Sequence, residues 1–454
     1  MKAQSLWRAK AALAALLLVP IAVTGLSAQA IAAPADPTEG GKGGRIIKVT
    51  SLAKDGPGSL AEALAAKGPR IIVFEVGGAI DMGRSSLEIT EPFVTIAGQT
   101  APAPGITLLR TGIDVKTHDV KLQHLRVLTG VDKQPLLSGW EADAFSTVAA
   151  SNVLVENNTF LWAVDENMSA SGPRFAGDTV EDWRKNTSHN VTFRLNLAAE
   201  GLANASHPKG EHSKGTLVHD NTTGIVFDRN IWAHNVERSP LVKGGAQVLM
   251  VNNLIYNPEH RAVHYNLMDL EWAGHEPVTG EITAIGNVMR GGNDTDEGLP
   301  FLMLGGVGDL AYFAQDNIAV DRHGNALPAF GRYGETRAKV IEAQAPMADI
   351  SDFDILPARD VETTLLATAG ARPWDRGPEE TRILFFIAEG RGDILDSEDE
   401  IGGYPRIEPT RAPFRESEWD LDTMTPKGDL YPGQKPGAQE HLSPRDREMR
   451  TPSK

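Results

Sequence analysis

Six short runs along the chain alternate apolar and polar positions and then break at an asparagine: VLVENNTF, VTFRLNLA, IVFDRNIW, VLMVNNLI, ITAIGNVM and AYFAQDNI. Their asparagines are Asn158, Asn196, Asn230, Asn253, Asn287 and Asn317, at spacings of 38, 34, 23, 34 and 30 residues. Each run predicts a short strand, and Gly, Asp, Ser and Pro fill the connections. No long helical period interrupts them. Strands this short must stack on neighbours to bury a face, so the repeat predicts a solenoid. A propeller needs a regular four-strand motif, and none is present. Asparagine after a strand suits a tight bend, because it tolerates positive φ and bonds nearby backbone. Stacked asparagines would satisfy one another's amides inside the coil. The pattern therefore predicts a parallel β-helix with loops of unequal length.

The flanks read differently. PTEGGKGG at 37–44 reads as a flexible leader, RIIKVTSLA as a strand and IIVFEVGGAIDM as further strand. Between them a short helix starts near Ser59, with Glu62 three residues on as a capping box wants. Beyond about residue 325 the asparagine pattern stops. GETRAKVIEAQ reads as a short helix, and the final ninety residues, rich in Pro, Arg and Asp, as an irregular extension along the coil. The last twenty residues read as disordered.

The first thirty residues change the expected location. MKAQSLWRAK is basic, AALAALLLVPIAVTGL is apolar, and SAQA offers a small-residue cleavage site ending at Ala30. This is the pattern of a removable signal peptide over 1–30, and it predicts a secreted or periplasmic protein. No later stretch is long and apolar enough to span a bilayer, so no membrane partner is expected.

Charge narrows the function. Of 454 residues, 60 are Asp or Glu and 44 are Lys or Arg, a formal net charge of −16. Such a surface repels nucleic acid at long range. A polyanionic substrate would need a local positive site or a bridging cation. With no cysteine, no disulfide supports the fold, and the core must hold it alone.

Three clusters carry candidate chemistry. WEADAFS and WAVDENMS supply Glu141, Asp143, Asp165 and Glu166. Carboxylates one coil apart can face one another, and two or three of them with water suit calcium, which takes 6–8 oxygen ligands. Zinc is set aside because these acids are not paired with Cys or His. HPKGEHSKG supplies His207, Lys209, His212 and Lys214, unusually basic for so acidic a chain, with His207 read as part of a solvated loop. HNVERSPLVKGG supplies Arg238 and Lys243 between two predicted strands.

Together these segments resemble the pectate lyase superfamily, polysaccharide lyase family one. The resemblance runs from about residue 44 to 325 and rests on the order of VTSLAKDGPGSLAEAL, VTIAGQTAPAPGI, SNVLVENNTFLWAVDE, HSKGTLV, NVERSPLVKGG and LMVNNLIYN. It implies a right-handed, single-stranded parallel β-helix over 31–360, with residues 361–454 as the irregular extension. It also implies calcium-dependent β-elimination of an anionic, polygalacturonate-like polysaccharide by a monomer. By the same resemblance Arg238 stands where the family has its base, Lys214 where it binds substrate, and Asp143, Asp165 and, less closely, Glu141 where it binds calcium. Lys243 joins the catalytic set, Lys209 and His212 the substrate-binding one. Two positions depart from the pattern. Lys243 replaces a second arginine, and Ser169 replaces a calcium acid for which Glu166 is the available substitute. Another uronan, a β-helix glycoside hydrolase using paired carboxylates, and a non-catalytic carbohydrate-binding β-helix remain the alternatives.

Overall fold

Each asparagine run forms one strand, turns sharply, and continues as a second, shorter strand. One coil reads Ser151–Glu156, Thr159–Leu161 and Glu166–Ser171; the next reads His189–Arg194, Leu197–Ala199 and Lys214–Val218. The computed structural model describes residues 36–428 and 430–434. The signal-peptide expectation for 1–30 and the expectation of disorder over the last twenty residues both fall outside them. Among the described residues, repetition of the coil builds sheets of eleven, ten and nine strands. Their pairings are parallel, except where Val76–Gly77 meets Arg411–Thr410. The chain is thus an all-β parallel β-helix.

The asparagines form an internal ladder. Asn158, Asn196, Asn230, Asn253 and Asn287 each donate from Nδ2 to Oδ1 of the asparagine on the next coil, ending at Asn317, over 2.8–3.2 Å. The same oxygens accept the neighbouring backbone N–H of Asn158, Asn196, Asn230, Asn253 and Asn287. The bend would otherwise leave these amides unpaired. The positive φ, however, belongs to the preceding residue: Asn157 (50°), Leu195 (54°), Arg229 (58°), Asn252 (53°), Gly286 (65°) and Asp316 (52°). The preceding residue turns the corner, which leaves the ladder asparagine free to aim its amide inward. Leucine and arginine accept a conformation that costs them energy because the stacked coils over-determine it.

Inside the coil, side chains stack in register. Leu122, Val155, Phe193, Phe227, Met250 and Ala284 follow one another across successive coils, and the rings of Phe193 and Phe227 stack at 5.1 Å. Burying each such side chain is worth about 1.5–3 kcal/mol, and the repeat multiplies it.

At the N-terminal end the expected helix α1 is Leu60–Leu64, with the Ser59 hydroxyl accepting from Glu62 N–H. The Glu62 carboxylate accepts from Gly58 N–H rather than from Ser59. The glycine-rich leader is packed, not flexible. Gly41 lies so close to the next strand that a Cβ would stand 1.8 Å from Arg70 O.

Residues 334–344 form no helix. Val340–Glu342 is a strand that pairs with Leu310–Tyr312, since an open sheet edge offers more hydrogen bonds than an isolated turn of helix. The C-terminal segment folds back along the coil. After α2 (Val180–Asn186), it supplies α3 (Ala358–Thr368) and α4 (Pro378–Glu389), two helices the sequence reading does not anticipate. They cover the outer face of the ten-stranded sheet with Val361, Leu365, Ile383 and Ile387 against Leu197, Ile231 and Leu254. Glu380 is the polar anchor, with Oε2 2.8 Å from Arg126 Nε. The nine-stranded sheet stays uncovered by these helices and carries the site.

Candidate active site

The acidic half of the site straddles two coils. Asp143 stands just before the strand Phe145–Val148, and Asp165 and Glu166 open the neighbouring strand. Strand pairing forces them together, and Glu166 N–H donates to Asp143 Oδ1 at 3.0 Å. One carboxylate oxygen from each of Asp143, Asp165 and Glu166 lies within 4.8 Å of the others. Burial raises Asp143 well above the usual carboxylate range, helped by the charges of Glu166 and Asp165. Burial likewise pushes Glu166 up to about 7, against the pull of Arg238. Asp165 moves the other way: burial works against its charge, but the hydrogen bond from His212 and the nearby histidines hold it low. Three crowded acids, Glu166 buried and Asp143 and Asp165 half-buried, are an arrangement a bound cation relieves.

Glu141 does not join them. Its Oε2 lies 3.0 Å from His207 Nε2. His207 is fully buried, contrary to the solvated-loop reading, and its ring stacks on His212 at 3.5 Å. Asp165 thus does have histidine neighbours, 2.9 Å from His212 Nε2 and 3.6 Å from His207 Nε2, and the three form a second donor set. The sequence shows no such pairing because the 207–212 loop closes over a coil forty residues away. Lys209 N–H donates to His207 Nδ1 at 3.2 Å, which leaves the proton of the neutral ring on Nε2. In that tautomer His207 faces the acids as an N–H group rather than as a metal ligand.

The basic half lies along the following strands. Lys214 Nζ is 2.7 Å from Glu237 Oε1, and Arg261 contacts the other oxygen of the same carboxylate. Arg238, at φ 67°, contacts Glu166 directly, so it joins the two halves. Burial and the charges of Arg238 and Arg261 bring Lys214 down to about 7. His264 is driven well below its usual range by burial and by Arg261 and Arg238, so it stays neutral. Lys243 is held by a different pair of acids: it contacts Glu271 and lies 3.7 Å from Asp220.

Asp165, Glu166, His212, Arg238, Lys243 and the exposed Lys209 line one groove of about 340 Å³. Glu237, Arg261, His264, Asp220 and Glu271 were not anticipated. Only Glu237 had a signal, as an acid beside Arg238. A larger cavity of about 1130 Å³ at the last coils is lined mainly by apolar and amide side chains and gathers no comparable charge.

The solenoid of parallel strands defines the class, a parallel β-helix protein, and one groove on it sets an acid cluster beside a cation cluster. No family model matches the chain. It is 32% identical over 219 residues to a probable pectate lyase C of Emericella nidulans, covering 48% of this chain and 44% of that protein. It is 30% identical over 257 residues to a probable pectate lyase C of Aspergillus flavus, covering 56% and 52%. The chain spans about half the length of the curated relatives it matches. Among solved structures, the cedar pollen major allergen jun a 1 shares the fold at a TM-score of 0.51 and 14% identity, over 72% of this chain and 88% of that one. Over about half of its length the chain is similar in sequence to these probable pectate lyases C, and in fold it is similar to the cedar pollen allergen.

Proposed function

We propose that the protein is an exported polysaccharide lyase that cleaves a polygalacturonate-like uronan by β-elimination, with calcium held by Asp143, Asp165 and Glu166. The observation that carries this reading is the contact of Arg238 with Glu166, which sets a cation row against an acid cluster in one groove. A uronan presents a carboxylate on every sugar, so an acidic protein needs both halves to hold it. The three acids suit a hard, oxygen-loving ion, and water or substrate oxygens complete the coordination. When bound, such an ion supplies positive charge against the substrate carboxylate and so against the charge that develops at C5.

The chain's own residues do the rest. The C5–H bond breaks and its proton passes to Arg238 in its neutral guanidine form, the resting proton having first gone to solvent, in keeping with the position this arginine shares with the family's base. The C5 electron pair forms the C4–C5 double bond as the C4–O bond breaks, and the leaving oxygen takes up a proton. Lys214 lies one coil from Arg238 and, held near neutrality, can carry or yield a proton there. Lys214 and Lys243 stabilise the negative charge, while Lys209 and His212 bind the chain along the rim. His207, Glu141 and Glu237 orient the charged groups.

Elimination makes a conjugated double bond and hydrolysis does not. Ultraviolet absorbance of purified protein with polygalacturonate, with and without calcium, therefore separates the lyase from a hydrolase and from a binding protein. Reducing ends released without absorbance would support the hydrolase, and binding without cleavage the non-catalytic reading.

A further inference from the structure

We propose that Arg174 and Lys243 form a subsite for a substrate carboxylate, and that Glu271 occupies it in the free protein. The inference rests on the uronan reading above. Arg174 Nη2 lies 3.2 Å from Glu271 Oε2, and Lys243 contacts the same oxygen. Two cations on one carboxylate oxygen is how an anion would be held there.

The two acids near these cations are not equivalent. Asp220 is fully buried and permanently committed. It accepts from Trp272 Nε1 at 2.6 Å, Gly244 N–H at 3.0 Å and Arg174 Nε at 2.8 Å. It fixes the cations in place. Glu271 has a side chain 31% exposed, and among the described residues its carboxylate contacts only Arg174 and Lys243. It sits in the short turn Asp269–Trp272, which buried Trp272 anchors while Leu270 stands 86% exposed. The carboxylate can therefore swing out without disturbing the core. With Glu271 in place the four charges cancel. With it displaced, one positive charge remains, which matches one uronate.

Leu217 pairs with Leu241 and Val218 with Val242, so Lys243 lies level with His219, about 16 Å along the strand direction from Lys214 at the usual strand rise. Glu271 then acts as an internal competitor that tunes uronan affinity.

The test is calorimetric binding of oligogalacturonate to the full chain and to Glu271→Gln and Arg174→Ala variants, each checked for unchanged melting. Glu271→Gln should bind about three- to ten-fold more tightly, the scale of competition by a partly exposed ion pair. Arg174→Ala should bind more weakly than the unchanged protein. A fully methyl-esterified oligomer should show no gain on Glu271→Gln, because it has no carboxylate to place. Equal or weaker oligogalacturonate binding by folded Glu271→Gln would overturn the inference and leave the lyase reading standing. Absence of uronan binding and cleavage by every folded protein would overturn the lyase reading, and this inference with it.

Discussion

Lys214 Nζ lies 2.7 Å from Glu237 Oε1 on the next coil, and each side chain is only 7% exposed. Glu237 is shared with Arg261, so one buried acid beside the groove holds two cations. Glu237→Gln should destabilise the fold by about 3–5 kcal/mol, the cost of breaking a buried pair and leaving charge behind. It should also lower kcat/KM for uronan. Denaturant unfolding and steady-state kinetics check this; wild-type stability in the variant would show that solvent, not Glu237, compensates Lys214.

Divalent cations should stabilise the protein, and more so at higher pH. Glu166 titrates near 7 in the fold against 4.5 unfolded. Between those values the folded state holds the extra proton, so stability without a cation falls as pH rises through that window. Above pH 7 Glu166 is charged beside Asp165 and a cation relieves their repulsion; near pH 5 it must displace the Glu166 proton. Melting scans with calcium and with chelator should diverge at pH 8 and converge at pH 5. A calcium shift that is equal at both values would exclude this cluster as the binding site. Asp165→Ala should lose most of the shift.

Arg238 is separable from its neighbours kinetically. If it takes the C5 proton, Arg238→Lys should lose most of kcat with KM little changed, since proton transfer exists only in the transition state. A raised KM with near-normal kcat would make Arg238 a carboxylate binder and move the base role to Lys214. Lys243→Arg should be mild, because it restores the residue usual in the family.

The asparagine ladder should be most costly to break in its middle. Asn230 Nδ2 donates to Asn253 Oδ1 at 3.1 Å and to Phe193 O at 2.9 Å, and its own oxygen accepts from Asn196. Asn230→Ala should cost about 1–3 kcal/mol by leaving buried partners unpaired. Asn317→Ala, at the partly exposed end, should cost less. Equal losses at both positions, measured by thermal unfolding, would count against cooperative stacking.

The repeat of short apolar runs ending at Asn158, Asn196, Asn230, Asn253, Asn287 and Asn317 was enough by itself to determine a parallel β-helix. Strand length, bend residue and the need to stack are all local properties. The resemblance likewise marked Asp143, Asp165, Lys214 and Arg238 without any coordinates. Other features needed the fold. Which residue takes positive φ at each bend depends on where the neighbouring amides lie, so Leu195 and Arg229 look ordinary in the sequence. Residues 340–342 became strand because an edge was waiting for them. Glu141 was drawn to His207, away from the other acids, by a loop closing across coils. Asp220 and Glu271 read as scattered acids until the fold put each beside Arg174 and Lys243. In a solenoid the side chains facing a groove come from segments twenty to forty residues apart. Their partners are set by loop lengths and stacking, which no local pattern encodes.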